Sequence, residues 1–277
     1  MSEPRRAVVT GAGESSIGLA VADALADQGW DVVVTTRRQP VGRYAWHELD
    51  LADRSSVASF AAWCERRWDR VDLLVNCAGI HLDLGSKWKE PQLLDGHEIH
   101  WRTNYLGTVD LTHALLPLVL AAADAGSGPR VVHVVSQLHD RGTTDQLLGR
   151  PVEHDSWASY GTSKLGLVHH AAWLAETYGD RGLVALSVHP GAVSTSIADR
   201  GLETRPLLRR LRGVARPLER RVLMTPEASA AHLVRLTAPD VAPGYFHKSH
   251  PAEPAPAAQD AAARAELMAS THDWLAG

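Results

Sequence analysis

The chain has few cysteines, few phenylalanines and few methionines. Two cysteines in 277 residues, Cys64 and Cys77, exclude a framework of several disulfides and show no metal-site spacing. They fit a protein kept reduced. Long apolar runs are also missing. The longest, 114–123, contains Pro117 and is about half of the ~20 residues needed to cross a bilayer. No sign of charge dominates: 28 Lys plus Arg stand against 32 Asp plus Glu, net −4, so no broad attraction to nucleic acid or to an anionic membrane is expected. Met1-Ser2-Glu3-Pro4-Arg5-Arg6 leads into a short apolar segment and glycine, with no secretory apolar region. The expectation is a cytoplasmic protein with a small-molecule partner, no nucleic acid and no membrane.

What is present is regular alternation. Apolar, β-branched segments at 7–10, 31–36, 44–49, 71–75, 130–135, 183–188 and 244–247 read as strands. Helical patterns fall between them at 18–28, 54–68, 96–125, a stretch through 160 to about 178, 226–236 and 258–275. The strands are apolar on both faces. This predicts an α/β fold: a Rossmann-type doubly wound parallel β-sheet with helices on both faces. Neither a linker nor an internal repeat divides it, so one domain over 1–277 is expected. Only 197–225 breaks the rhythm, and it reads as an insertion.

Glycines follow the first strand, in Gly11-Ala12-Gly13-Glu14-Ser15-Ser16-Ile17-Gly18. Such a turn lets a pyrophosphate reach the backbone and rest on a helix N-terminus. The second strand ends in Thr35-Thr36-Arg37-Arg38. A carboxylate there would accept a ribose 2′-hydroxyl. Guanidinium groups instead favour a 2′-phosphate, so NADP(H) is the expected cofactor. Further on, Tyr160 and Lys164 stand four residues apart and share one face of a helix. A nearby ammonium favours the phenolate, and a phenol so tuned exchanges protons with a carbonyl or an alcohol.

With Ser136 and Asn104, these residues resemble the catalytic tetrad of the short-chain dehydrogenase/reductase superfamily. The resemblance runs nearly end to end. Thr10-Gly11 and Ile17-Gly18 are similar to the family's glycine turn, Asp50 to the acid that meets the adenine, and Asn76-Cys77-Ala78-Gly79 to its Asn-Asn-Ala-Gly turn. His189-Pro190-Gly191 through Thr195 resembles its nicotinamide-side loop. Within the superfamily the chain is most similar to the retinol-dehydrogenase-like group. Arg130–His139, Gly244-Tyr245-Phe246, 254–260 and the long interval between Ser136 and Tyr160 carry that likeness.

The resemblance implies hydride transfer between NADP(H) and a carbonyl or alcohol. Asn104, Ser136, Tyr160 and Lys164 would be catalytic. Tyr160 would carry the proton, Ser136 would place the oxygen, and Lys164 would lower the Tyr160 pKa and hold the ribose. Asn104 would hold a water linking Lys164 to solvent. The implied cofactor contacts are Gly11, Ser16, Ile17, Gly18, Arg37, Asp50, Leu51, Asn76, Ala78, Gly79, Tyr160, Lys164, Pro190, Gly191, Val193 and Thr195. A homodimer or homotetramer paired through the helices around Asn104 and Tyr160 is also implied.

Two departures stand out. The glycine turn is one residue longer than the family's, and Ser16 replaces its middle glycine, either crowding a pyrophosphate or binding it. His133 replaces the Asn of the serine strand and is expected to pack. The altered turn keeps an alternative open: a dehydratase, isomerase or cyclase using Tyr160 as acid/base. A third reading is an NADPH sensor without turnover, and the intact tetrad speaks against it. His97 and His100 are spaced i and i+3, not the i and i+4 of a zinc helix, so no metal is expected. His139 reads equally as a substrate contact or a structural histidine, and Trp157 as pocket mouth or packing. Eight arginines between Arg200 and Arg221 face only Glu203 and Glu219. They read either as a substrate lid recruiting an anion or as a solvated amphipathic helix.

Overall fold

The structure is a computed structural model that describes residues 3–39, 43–193 and 223–277. Thr195, the Arg200–Arg221 stretch and most of the expected lid lie outside the described residues.

Strands β1 (Arg6–Thr10), β2 (Asp31–Thr36), β3 (Ala45–Glu48), β4 (Leu73–Asn76), β7 (Arg130–Val134), β8 (Val184–His189) and β9 (Gly244–His247) form one parallel sheet. A short β10 (His250–Pro251) adds antiparallel at one edge, giving the order β10-β9-β8-β7-β4-β1-β2-β3. The chain leaves β1 toward β2 on one side and returns to β4 on the other. That reversal opens a crevice at the carboxyl ends of β1 and β4, the place where such sheets bind ligands.

Alternation along each strand sends side chains to opposite faces. Val9, Val32, Val34 and Val75 pack with α1 (Ile17–Asp27) and α6 (Pro226–Arg235) on one face. Val8, Val33, Leu74 and Val131 face the other way, into α2 (Arg54–Arg67) and α3 (Gly107–Asp124). The long α5 (Ser156–Tyr178) lies beside α3 on that second face. A third apolar cluster sits outside α3 and α5. There Leu167 and Val168 meet Ala263 and Leu267 of the terminal helix α7 (Ala261–Ala276). Tyr105 Oη bonds Thr271 at 2.7 Å, and Trp274 Nε1 donates to Asp110 at 2.9 Å. Thus α7 covers part of the face on which pairing of copies was expected.

One expected element differs. The helix predicted over 96–125 begins instead as a small hairpin, β5 (Leu93–Leu94) with β6 (His97–Glu98). A π-helix, Trp101–Leu106, follows and joins α3. Glu98 explains the change: its carboxylate accepts from the backbone N–H of His100 and Trp101 and so caps the helix there. His97 and His100 therefore belong to different elements. A short α4 (Thr144–Leu147) also escaped the sequence reading. Trp101–Asp124 is long and apolar enough to span a membrane by composition, yet 72% of its most apolar window is buried in this fold.

Candidate active site

The crevice is a cleft of about 1370 Å³ at the carboxyl ends of the strands. The β1–α1 turn forms its floor. Gly11 has φ +71°, and a Cβ built on it would lie 2.7 Å from Ala78 Cα, so only glycine fits. Gly18 packs as tightly against Thr10 O. The extra residue is absorbed between them, with Ser15 in the left-handed region. Ser16 caps α1, its Oγ accepting from Leu19 N at 3.0 Å. The serine that replaces glycine thus serves the helix start.

Arg37 lines the cleft beyond β2. Arg37 and Arg38 are exposed and make no ion pair among the described residues. Asp50 and Leu51 form the adjoining wall, Asp50 Oδ1 accepting from Ala52 N. Behind them Arg102, 1% exposed, donates to Leu51 O and Ala52 O and pairs with Asp95. Sequence reasoning missed Arg102, because its carbonyl partners are 51 and 50 residues away.

The opposite wall carries the tetrad. Ser136 follows β7, and its Oγ accepts from Leu138 N, starting a short 3₁₀ turn over Gln137–Arg141. The Ser136 hydroxyl faces the Tyr160 phenol and works to lower its pKa. Tyr160 and Lys164 lie in the first turns of α5, both buried. Burial raises the Tyr160 pKa to about 12, with Ser136 opposing, and lowers that of Lys164 to about 8. The expected lowering of Tyr160 by Lys164 does not appear. Desolvation dominates, and the ammonium turns to Val134 O at 3.1 Å and stands 5.7 Å from the Tyr160 ring centre.

Asn104, fully buried in the π-helix, makes three hydrogen bonds. Its Oδ1 accepts from Ile80 N at 2.7 Å, and its Nδ2 donates to Ile80 O and Ser163 Oγ. Both amide hydrogens are spent, and Oδ1 keeps one lone pair. The side chain fixes the segment after β4. Gly18, Asn76 and Asn104 brace the cleft from behind, whereas Ser16, Ile17, Ala78, Gly79, Pro190, Gly191 and Val193 line it.

His81 escaped the sequence reading. Its ring stacks on Tyr160 with centroids 3.9 Å apart and planes 9° from parallel. Trp157 meets His81 edge-on at 4.9 Å, and His100 meets the Tyr160 ring edge-on at 6.1 Å. Burial above all, then His100 and Lys164, pushes His81 down to about 3, so the ring is neutral. No spacing signal ties residue 81 to residue 160. His139 proves structural: it bonds Ser136 O through Nδ1 and accepts from Ala255 N through Nε2. Trp157 packs on His81 and beneath Arg141.

Comparison with known proteins agrees with this geometry. The family model described as short chain dehydrogenase matches residues 5–205. Human dehydrogenase/reductase SDR family member 13 is 33% identical, over 92% of this chain and 69% of its own length. Mouse polyprenol dehydrogenase is 33% identical, over 96% of this chain and 82% of its own. Among solved structures, an uncharacterized protein from Mycobacterium Paratuberculosis superposes with a TM-score of 0.69 at 27% identity, covering 98% and 93% of the two chains.

Proposed function

The chain belongs to the short-chain dehydrogenase/reductase family, and on that premise we propose that it transfers a hydride between NADP(H) and a small-molecule carbonyl or alcohol in the cytoplasm. The observation that carries this reading is Lys164 beside Tyr160 at the cleft. An ammonium has three N–H donors. Lys164 spends one on Val134 O and makes no second hydrogen bond among the described residues. Two donors remain for a ribose. The Gly11 cradle and the α1 N-terminus fit a pyrophosphate, Asp50 and Leu51 fit an adenine, and Pro190, Gly191 and Val193 fit the nicotinamide side. Arg37 favours the 2′-phosphate.

The nicotinamide supplies the hydride when bound. The chain supplies the rest. Tyr160 is protonated at neutral pH because its pKa lies near 12. It stands ready to give its Oη proton to a carbonyl oxygen. Ser136 donates to the same oxygen and stabilises the charge that develops there. Lys164 keeps a positive charge at neutral pH, since its pKa is about 8, and favours the phenolate left behind. In the alcohol direction Tyr160 must first lose its proton, so high pH favours oxidation. The longer glycine turn alone had favoured a non-redox enzyme. Capping by Ser16 gives its serine a role in the helix start and supports the redox reading.

The test is turnover of NADPH with a panel of aldehydes and ketones, and of NADP⁺ with alcohols that include a long-chain isoprenoid alcohol. Tyr160→Phe is expected to lower turnover at least ~100-fold, the range for loss of a general acid, with cofactor binding retained. A Tyr160→Phe protein with undiminished turnover contradicts the assignment.

A further inference from the structure

Three histidines outside the chemistry run in file away from the site. Asn76 on β4 and His133 on β7 are register neighbours. Asn76 Nδ2 lies 3.1 Å from His133 Nδ1, His133 Nε2 lies 3.0 Å from His170 Nδ1 on α5, and His170 Nε2 lies 3.3 Å from His113 Nε2 on α3. His133 and His170 are fully buried, and His113 is half-buried at the helix surface. Burial holds all three neutral: His133 is pushed down to about 3, His113 to about 4, and His170 well below its ordinary value. A neutral imidazole has one N–H and one bare nitrogen. Imidazoles in file must therefore all point the same way, and one end decides which.

Asn76 is that end. Thr112 Oγ1 donates to Thr108 O at 2.7 Å, the back-bond that a helical threonine makes to its preceding turn. Its only proton is spent there. Thr112 must then accept from Asn76, 3.0 Å away, so the amide nitrogen faces Thr112 and His133. Reversing the carboxamide breaks the Thr112–Thr108 bond. It also puts an NH₂ group where Oδ1 now stands buried without a partner. Two unpaired donors cost more than one unpaired acceptor. His133 Nδ1 is therefore bare and its Nε2 carries the proton. The same holds for His170, and His113 is protonated at Nδ1.

We propose that Asn76, His133, His170 and His113 form a one-way hydrogen-bond chain that fixes the Asn76 carboxamide and positions the Cys77-Ala78-Gly79 turn. That turn joins both halves of the site. Cys77 N and Ala78 N donate to Thr10 Oγ1 at 3.0 Å. A Cβ built on Gly79 would stand 3.2 Å from Asn104 Oδ1 and 3.3 Å from Lys164 Nζ. His133 and His170 are positioning residues and touch no reacting atom. The turn's service to a cofactor rests on the function proposed above, whereas the chain itself does not.

Long-range ¹H–¹⁵N spectra of the histidine-labelled native protein at neutral pH read the tautomers directly, with His170→Phe and His113→Phe for assignment. His133 and His170 are expected as Nε2–H forms and His113 as Nδ1–H. Nδ1–H forms of His133 and His170, or averaged tautomers, overturn the chain. In His170→Phe, which keeps ring volume, His133 keeps its Nδ1 bare toward Asn76 while its Nε2–H loses its acceptor. Amide exchange at Cys77 and Ala78 then rises about 5-fold, the scale of one lost hydrogen bond, with β2 amides unchanged. Unchanged exchange at Cys77 and Ala78 overturns the positioning role. NADPH titration of the native protein runs alongside. Failure to bind overturns the hydride reading, while the spectra still decide the chain.

Discussion

At the scale of single residues, the meeting of the groups proposed to move protons was legible and the group that stacks on one of them was not. Tyr160, Lys164, Ser136 and Asn104 sit at fixed intervals on elements whose periodicity the sequence displays, so their meeting follows from the sheet order. His81 reaches Tyr160 only because the segment after β4 folds back across α5, and no period encodes that. A face-to-face stack is worth roughly 0.5–1.5 kcal/mol beyond burial, up to ~10-fold in a rate that depends on it. His81→Phe keeps the stack and is expected to stay within ~3-fold of the native turnover. His81→Ala removes it and is expected to lose ~10-fold, with unchanged cofactor affinity. Equal turnover in all three proteins would show that the stack is idle. The direction of the Tyr160 shift also had to be corrected. Spacing shows that a charge is near, but only the fold shows how deeply the phenol is buried.

Among the elements, strand positions were the most legible, because β-branched runs bounded by glycine and polar residues carry a clear signal. β2 was read to the residue. The start of the long helix was not, since Glu98 caps a helix only after the β5–β6 hairpin has turned the chain. The β1–α1 turn teaches the converse. An irregular glycine pattern left Ser16 to crowd a pyrophosphate or to bind it, and in the fold Ser16 is a helix cap. Replacing a capping serine by alanine costs about 1 kcal/mol, and by glycine only a few tenths. Ser16→Ala is accordingly expected to lower Tm by about 2–4 °C, and Ser16→Gly by under ~1 °C, in calorimetry at neutral pH. A drop in Ser16→Gly as large as in Ser16→Ala would mean that the hydroxyl has no capping role.

Across the whole molecule, buried neutral histidines set the response to acid. His81 and His133 are pushed down to about 3, and His113, His169 and His189 to about 4, in each case chiefly by burial. Such a group has its full stabilising effect above the unfolded value near ~6.5. Below that the unfolded chain binds the proton first, and stability falls until the folded value is reached. Each fully neutral histidine removes up to ~1.4 kcal/mol per pH unit in that window. Tm is therefore expected to drop by at least ~5 °C between pH 6.5 and 5.5 and to change little from 7 to 8. A flat profile from 6.5 to 5.5 would refute this. Composition alone could not show it, because 15 histidines on a surface would titrate without consequence.

The central claim is that the cleft holds NADP(H), and titration of the purified protein with NADPH and NADH, by fluorescence and calorimetry, tests it most directly, with Arg37→Asp in parallel. Micromolar NADPH binding, much weaker NADH binding and a reversed order in Arg37→Asp are predicted. Binding of neither cofactor, or NADH preference in the native protein, would contradict the account.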